Sequence, residues 1–258
     1  MNISKKYRNL FFTVSVILVL FSFIEKKSTN IYMIGDSTMA SYKEDRAPLT
    51  GWGQVMSDYF KKPIRVDNHA TSGRSTKSFI SEGRWDKVFE NLQPDNYVFI
   101  QFGHNDAKKD DPRRYADPNG LYKENLIKFV KETRDKGAIP ILLTPIARRA
   151  FNDDGSIKNT HGDYLKAVND VSKSLDVIMI DMFKLTSEYV AKLGPDKSKD
   201  VYLWVEPNEI YPEGKEDNTH LSTLGAHQFA KLVLREVINQ DIPLKSQIRK
   251  KMLDSPGR

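Results

Sequence analysis

The sequence predicts a doubly wound α/β domain, a three-layer α/β/α sandwich on a five-stranded parallel sheet. Three observations lead there. Short runs dense in β-branched and aromatic residues recur five times, amphipathic stretches of helical length separate them, and Gly, Pro, Asn or Asp bounds the runs. Parallel strands joined by helical crossovers need a helical layer on each face to cover their apolar side chains.

The first strand is expected at Ile31–Ile34, an unbroken apolar run that stops at Gly35-Asp36. A helix is expected near 52–61, and a second strand at Ile64–His69, directly after Pro63. A helix near 83–92 leads through Pro94-Asp95-Asn96 to the third strand, Tyr97–Phe102. In the next helix, 121–136, Leu126, Phe129, Val130 and Thr133 recur at helical spacing with charges opposite, and Gly137 sits where a C-terminal cap belongs. The fourth and fifth strands, Ile139–Thr144 and Val177–Ile180, flank a helix near 160–175, and helices near 182–193 and 222–239 complete the chain. The result is a flavodoxin-like five-stranded sheet, in which ligands bind at the carboxyl ends of the strands. Residues that directly follow strands are therefore the first candidates for function. Two charged, Pro-containing segments, 108–120 and 195–219, are expected to be long surface loops, either solvated connections or substrate contacts.

Composition narrows the function classes. With 258 residues, 39% apolar and 10% aromatic, the chain is neither disordered nor too short for a sizeable core. The absence of cysteine excludes a disulfide scaffold and a Cys-ligated zinc site. A net charge of +6 suggests nucleic acid, but the charge is confined to the ends. Residues 1–27 carry +4 and residues 241–258 carry +3, whereas residues 28–240 hold 30 basic and 31 acidic side chains. The body is electrically balanced, so nucleic acid is not an expected partner.

Lys5, Lys6 and Arg8 precede an apolar run from Leu10 to Ile24. This fits a secretory signal and is short for a membrane span, which needs about 20 residues. No small-residue cleavage pattern follows it, so an uncleaved membrane anchor is the alternative. Both readings export the remainder. The expected organisation is a signal peptide or anchor over 1–27, a catalytic domain over 28–240, and a basic, solvated tail over 241–258.

Four motifs fall at expected strand ends or just before the last helix. Gly35-Asp36-Ser37 follows the first strand and presents Ser37 at the sheet edge. After the second strand, Gly73 in Thr71-Ser72-Gly73-Arg74 can bring a bare backbone N–H close to a ligand. After the third, Gly103-His104-Asn105-Asp106 offers an uncharged amide donor. Asp217-Asn218-Thr219-His220 spaces a carboxylate to hold an imidazole Nδ1–H, leaving Nε2 to take a proton from a hydroxyl. Each alone is an ordinary turn or cap motif. Together they assemble acyl-transfer chemistry: Ser37 as nucleophile, His220 as general base and then acid, Asp217 as its orienter. The N–H groups of Ser37 and Gly73 and the Asn105 amide are the oxyanion donors.

At these residues the chain resembles the SGNH (GDSL-type) hydrolases, whose four blocks carry Ser, Gly, Asn and His in this order. More narrowly it resembles their rhamnogalacturonan acetylesterase group, through GDSTMA (35–40), GWG (51–53), NHATSGRSTKSFISEGRW (68–85), FIQFGHND (99–106) and DNTHLS (217–222). HGDY (161–164) and LWVEPNE (203–209) fit the same group, and the likeness spans about residues 31–239. The resemblance implies the SGNH fold, the roles assigned above and a carbohydrate esterase without a cofactor, acting as a monomer on an O-acetylated pectic polysaccharide. Alternatives are a deacetylase of another glycan such as xylan, a lysophospholipase-like acylhydrolase, or a non-catalytic glycan-binding module. Nucleotide binding is disfavoured, since neither G-x-G-x-x-G nor a P-loop motif is present.

Other residues are less decisive. Arg74, beside Gly73, could anchor a galacturonate carboxylate or form a structural ion pair. Trp52 and Trp85 are expected in the core, although they and Trp204 could also serve as sugar platforms. His69, His104 and His161 with Asp106 show no metal-ligand spacing, so no metal is expected. The expected location is secreted or periplasmic, or membrane-anchored with the catalytic domain exported.

Overall fold

The computed structural model describes residues 29–254. The expected segment 1–27 therefore lies outside the described residues. Five parallel strands, β1 (Asn30–Gly35), β2 (Arg65–Asn68), β3 (Tyr97–Gln101), β4 (Ile139–Leu143) and β5 (Ile178–Ile180), form one sheet in the order β2-β1-β3-β4-β5. The strand order reverses between β1 and β3, and a ligand crevice forms at such a switch point. In register, Ile31 faces Tyr97 and Gly35 faces Gln101, so β1 and β3 end side by side.

Alternation along the strands divides the interior into two cores. Ile31, Met33, Phe99 and Ile141 point to one face, where α5 (Met182–Lys197) and α6 (Thr223–Asn239) cover them through Val190, Phe229 and Val233. Tyr32, Ile34, Val98 and Ile100 point to the other face. There they meet α1 (Thr76–Ser81), α2 (Arg84–Asn91), α3 (Leu121–Asp135) and α4 (Asp163–Leu175). Phe129 is fully buried, with its ring 4.9 Å from that of Trp85 and 5.8 Å from that of Phe102. Truncating such a ring to Ala costs about 3–5 kcal/mol. Trp52 and Trp85 are both fully buried, as their composition and context suggested.

Three segments differ from the sequence reading. The helix expected near 52–61 is a single 3₁₀ turn, Met56–Tyr59. Its first half is pulled against the loop after β1: a Cβ at Gly51 would lie 2.1 Å from the Ala40 carbonyl oxygen. The segment 195–219 is not one loop. It finishes α5 across a kink at Gly194-Pro195, then forms an antiparallel ribbon of β6 (Tyr202–Val205) and β7 (Lys215–Leu221). The tail after Gln240 is not loose up to residue 254. Ile242, Leu244, Ile248 and Leu253 are buried in the α6-side core, and Ile248 pairs with Phe60. Its basic residues Arg249, Lys250 and Lys251 stay exposed while these four apolar side chains turn inward. Among the described residues no helix is long and apolar enough to cross a membrane.

Candidate active site

Gly35 ends β1 where a Cβ would meet the Gln101 carbonyl oxygen at 2.7 Å, so only glycine lets β1 and β3 run this close. The chain then turns sharply, with Met39 and Ala40 N–H both donating to the Asp36 carbonyl. Inside the turn the buried Asp36 accepts from the Thr38 N–H and hydroxyl, each at 2.9 Å. Burial raises its pKa, and the Thr38 hydrogen bonds only partly offset this. The turn is fixed from outside by the Tyr42 hydroxyl, which donates to the Ser37 carbonyl at 2.7 Å. Ser37 is thereby held at the mouth, its hydroxyl free of the turn's own bonding.

The partner histidine comes from the β6–β7 ribbon. Tyr202 pairs with Leu221 while the next residue, Leu203, pairs with Asp217, so Asn218, Thr219 and His220 bulge out of the ladder. The bulge folds His220 back over Asp217: Nδ1 lies 2.7 Å from Asp217 Oδ2, and Nε2 lies 2.9 Å from Ser37 Oγ. Asp217 Oδ1 accepts the backbone N–H groups of Thr219 (2.8 Å) and His220 (2.9 Å). Burial works against its charge, but these bonds and the His220 ring outweigh it and hold the carboxyl below the usual carboxylate range. An ionised Asp217 can only accept, so Nδ1 carries the proton and the neutral ring offers Nε2 to the Ser37 O–H. This is the proton path a serine nucleophile needs.

The two expected oxyanion donors lie in the adjoining loops. Thr71 N–H donates to the Gly35 carbonyl at 3.0 Å, which docks the 71–74 loop onto the end of β1. Gly73 there has φ +80°, a left-handed conformation that favours glycine. The Asn105 side chain donates from Nδ2 to the Arg74 carbonyl at 3.1 Å, tying the loop after β3 to the Gly73 loop. Its oxygen accepts from Arg114 Nη1 at 3.4 Å, and Arg114 is in turn held by Asp111 at 2.7 Å. One carbonyl and one guanidinium thus set the plane of the Asn105 amide, and its second N–H remains for a ligand. Arg114 belongs to the 108–120 segment, whose charge cluster gave no hint in sequence of which member would turn inward.

Asp106, next to Asn105, is fully buried and accepts from the Thr76 N–H (2.9 Å) and hydroxyl (2.6 Å), which locks the loop after β3 to the start of α1. Burial raises its pKa to about 7, with the Asp36 charge adding to the effect. His104 packs edge-on against His161, ring centres 4.6 Å apart, and His161 Nε2 lies 2.8 Å from the Ile146 carbonyl. Among the described residues no group of three or more acidic or histidine side chains is arranged to hold a metal. His69 stands apart from this pair, 3.0 Å from Asp67.

Beside the triad opens a groove of about 570 Å³, lined by Tyr42, Arg46, Ser72, Tyr211 and Lys215 as well as Asp217 and His220. Arg74 donates instead to Glu82 (3.0 Å) and to the Ser72 carbonyl (2.9 Å), the ion-pair alternative considered for it. Arg46 and Lys215 are the cations that line this groove. Trp204 supports the bulge: its Nε1 donates to Asn218 Oδ1 at 2.9 Å, and the Arg149 guanidinium lies 4.8 Å from its ring centre.

Comparisons with known proteins place the chain in a family. The GDSL-like lipase/acylhydrolase family profile matches residues 31–233. The rhamnogalacturonan acetylesterase RhgT of Bacillus subtilis is 39% identical over 225 residues, covering 86% of this chain and 95% of that protein. The probable rhamnogalacturonan acetylesterase YesY of the same organism is 35% identical, covering 86% and 99%. Among solved structures, YxiM of Bacillus subtilis superposes with a TM-score of 0.74 at 25% identity, covering 84% of this chain and 58% of that longer one. An acetyl-xylooligosaccharide esterase from Geobacillus superposes with a TM-score of 0.60 at 21% identity, covering 81% and 94%, a likeness of fold. The match over most of the described residues, with Ser37, Asp217 and His220 in one hydrogen-bonded line, makes the chain a member of the GDSL-like lipase/acylhydrolase family.

Proposed function

We propose that the protein is a carbohydrate acetylesterase that removes O-acetyl groups from a pectic polysaccharide, rhamnogalacturonan being the favoured substrate. The observation that carries this reading is the 39% identity to a rhamnogalacturonan acetylesterase across 95% of its length, joined to the Asp217–His220–Ser37 line. Ser37 Oγ attacks the acetyl carbonyl as His220 takes its proton. The tetrahedral oxyanion rests on the Ser37 and Gly73 N–H groups and the Asn105 amide, and as the intermediate collapses His220 gives the proton taken from Ser37 to the departing sugar oxygen. Water, deprotonated by the same imidazole, then releases acetate from the acetyl-enzyme. No step requires a cofactor.

The groove supports a glycan over a long acyl chain. Ser72 offers a hydroxyl, the Tyr42 and Tyr211 hydroxyls, which donate to the Ser37 and Arg46 carbonyls, offer acceptor oxygens, and Arg46 and Lys215 offer positive charge suited to a galacturonate carboxylate. Export, by a cleaved signal or on a retained anchor, is part of the same proposal and rests on the Lys5–Ile24 pattern. The test is acetate release from acetylated rhamnogalacturonan, homogalacturonan, xylan and chitin oligomers. The proposal expects the first to lead and p-nitrophenyl octanoate to be a far poorer substrate than the acetate. Preference for xylan would move the assignment to another glycan, and preference for octanoate to a lipid acylhydrolase.

A further inference from the structure

The pole of the molecule opposite the triad carries a feature that ester hydrolysis does not use. Five cationic side chains, Lys61, Lys245, Arg249, Lys250 and Lys251, line one groove of about 940 Å³. The one acidic residue in its lining, Asp241, is paired with Lys245. Its remaining walls include the half-buried apolar side chains of Ile238 and Met252. The groove is built by the C-terminal segment folding back: Lys61 N–H donates to the Gln247 carbonyl at 2.9 Å, and Arg249 N–H to that of Tyr59 at 2.7 Å. Lys250 and Lys251 are exposed.

Its position is fixed at both ends. Thr223, three residues after the triad histidine, begins α6, and Ile238 lies fifteen residues further along it, about 22 Å at helical rise. At the other side, Lys61 precedes Arg65 by four residues, and Arg65 pairs with Asn30 at the start of β1. Lys61 therefore lies within about 18 Å of Asn30. The chain reaches Asn30 from the apolar run Leu10–Ile24, and six residue steps span at most about 21 Å. These lengths allow a bilayer holding that run to reach this pole, with Ser37 at the far edge of the sheet.

We infer that the groove formed by Lys61, Lys245, Arg249, Lys250 and Lys251 is a docking surface for anionic phospholipid. Positive charge beside the apolar walls of Ile238 and Met252 matches a phosphate headgroup above its acyl chains, and an anionic membrane surface attracts Lys and Arg within a Debye length. The surface orients the catalytic mouth away from the bilayer. An acidic polysaccharide would also meet the charge, but it has no use for the apolar walls.

The test is sedimentation of the full-length protein with phosphatidylcholine vesicles, with and without 30% phosphatidylglycerol. Wild type is expected to bind the anionic vesicles at least tenfold more tightly than the neutral ones at low salt, with the difference lost at about 0.5 M salt. The triple variant Lys245→Gln, Lys250→Gln, Lys251→Gln is expected to lose the preference. The milder pair Lys250→Gln, Lys251→Gln should lose part of it and serves if the triple variant misfolds. Both should hydrolyse p-nitrophenyl acetate as wild type does. Equal binding to the two vesicles, a preference that the variants keep, or lysine-dependent binding to polygalacturonate without lipid preference would each overturn the inference.

Discussion

Arg149 grips Asn218 twice, through its backbone N–H to the Asn218 carbonyl at 2.8 Å and through Nη1 to Oδ1 at 3.0 Å. Asn218 opens the bulge that carries His220, so the segment after β4 braces the turn that brings His220 to Ser37. Arg149→Ala is expected to lower kcat for p-nitrophenyl acetate about 10- to 100-fold with KM little changed, and Arg149→Lys to restore part of the rate. The loss should stay well short of that for Asp217→Asn, where an imidazole of the wrong tautomer costs about 10⁴. Steady-state kinetics on the three variants checks the order. An Arg149→Ala enzyme with wild-type kcat would remove the clamp from the account.

The Asn105 amide is held by the Arg74 carbonyl and the Arg114 guanidinium. Asn105→Ala should reduce kcat about 10²- to 10³-fold, the usual loss for one oxyanion donor. Arg114→Ala should produce a smaller loss in kcat, and no further loss when added to Asn105→Ala, because Arg114 acts through the amide. Additive losses in that cycle would assign Arg114 a separate role.

Arg46 and Lys215 stand in the groove beside Asp217 and His220. Replacing both with Gln should raise KM for acetylated rhamnogalacturonan about tenfold while leaving p-nitrophenyl acetate and neutral acetylated xylan unaffected. Equal effects on charged and neutral substrates would show that the two cations do not read the uronate.

Burial lowers the His161 pKa to about 4, and the nearby Arg148 charge adds to the shift. The unfolded chain binds a proton near pH 6.5 that the folded chain refuses until about pH 4, so this group's contribution to stability is full above pH 6.5 and declines as pH falls toward 4. Relative to His161→Gln, wild type should lose up to about 3 kcal/mol of stability between pH 7 and pH 4. Urea unfolding of both proteins across that range measures it, and a constant difference would show that His161 titrates normally.

Much of the site is legible in the sequence because it follows strands. Ser37 and Asn105 follow the buried apolar runs of β1 and β3, whose strand character is plain, and Gly73 follows the shorter, more polar β2; a parallel sheet gathers such ends at one edge. The ribbon was not legible. Lys215–Leu221 reads KEDNTHL, with charge at consecutive positions and no alternation, since the strand lies on the surface and its bulge breaks the period. Arg114 and Arg149 were equally hidden, because which member of a charged cluster turns inward is decided by tertiary packing. The tail misled for the opposite reason: its basic residues dominate the composition, while the four apolar side chains that anchor it are spaced irregularly.

The central claim is an acetyl group carried on Ser37, and mass spectrometry of the protein quenched during turnover of p-nitrophenyl acetate tests it most directly. An added acetyl is expected on the peptide containing Ser37, absent in a folded Ser37→Ala variant that has lost hydrolysis. Wild-type-like hydrolysis by Ser37→Ala, or acetylation elsewhere with Ser37 unmodified, would contradict it.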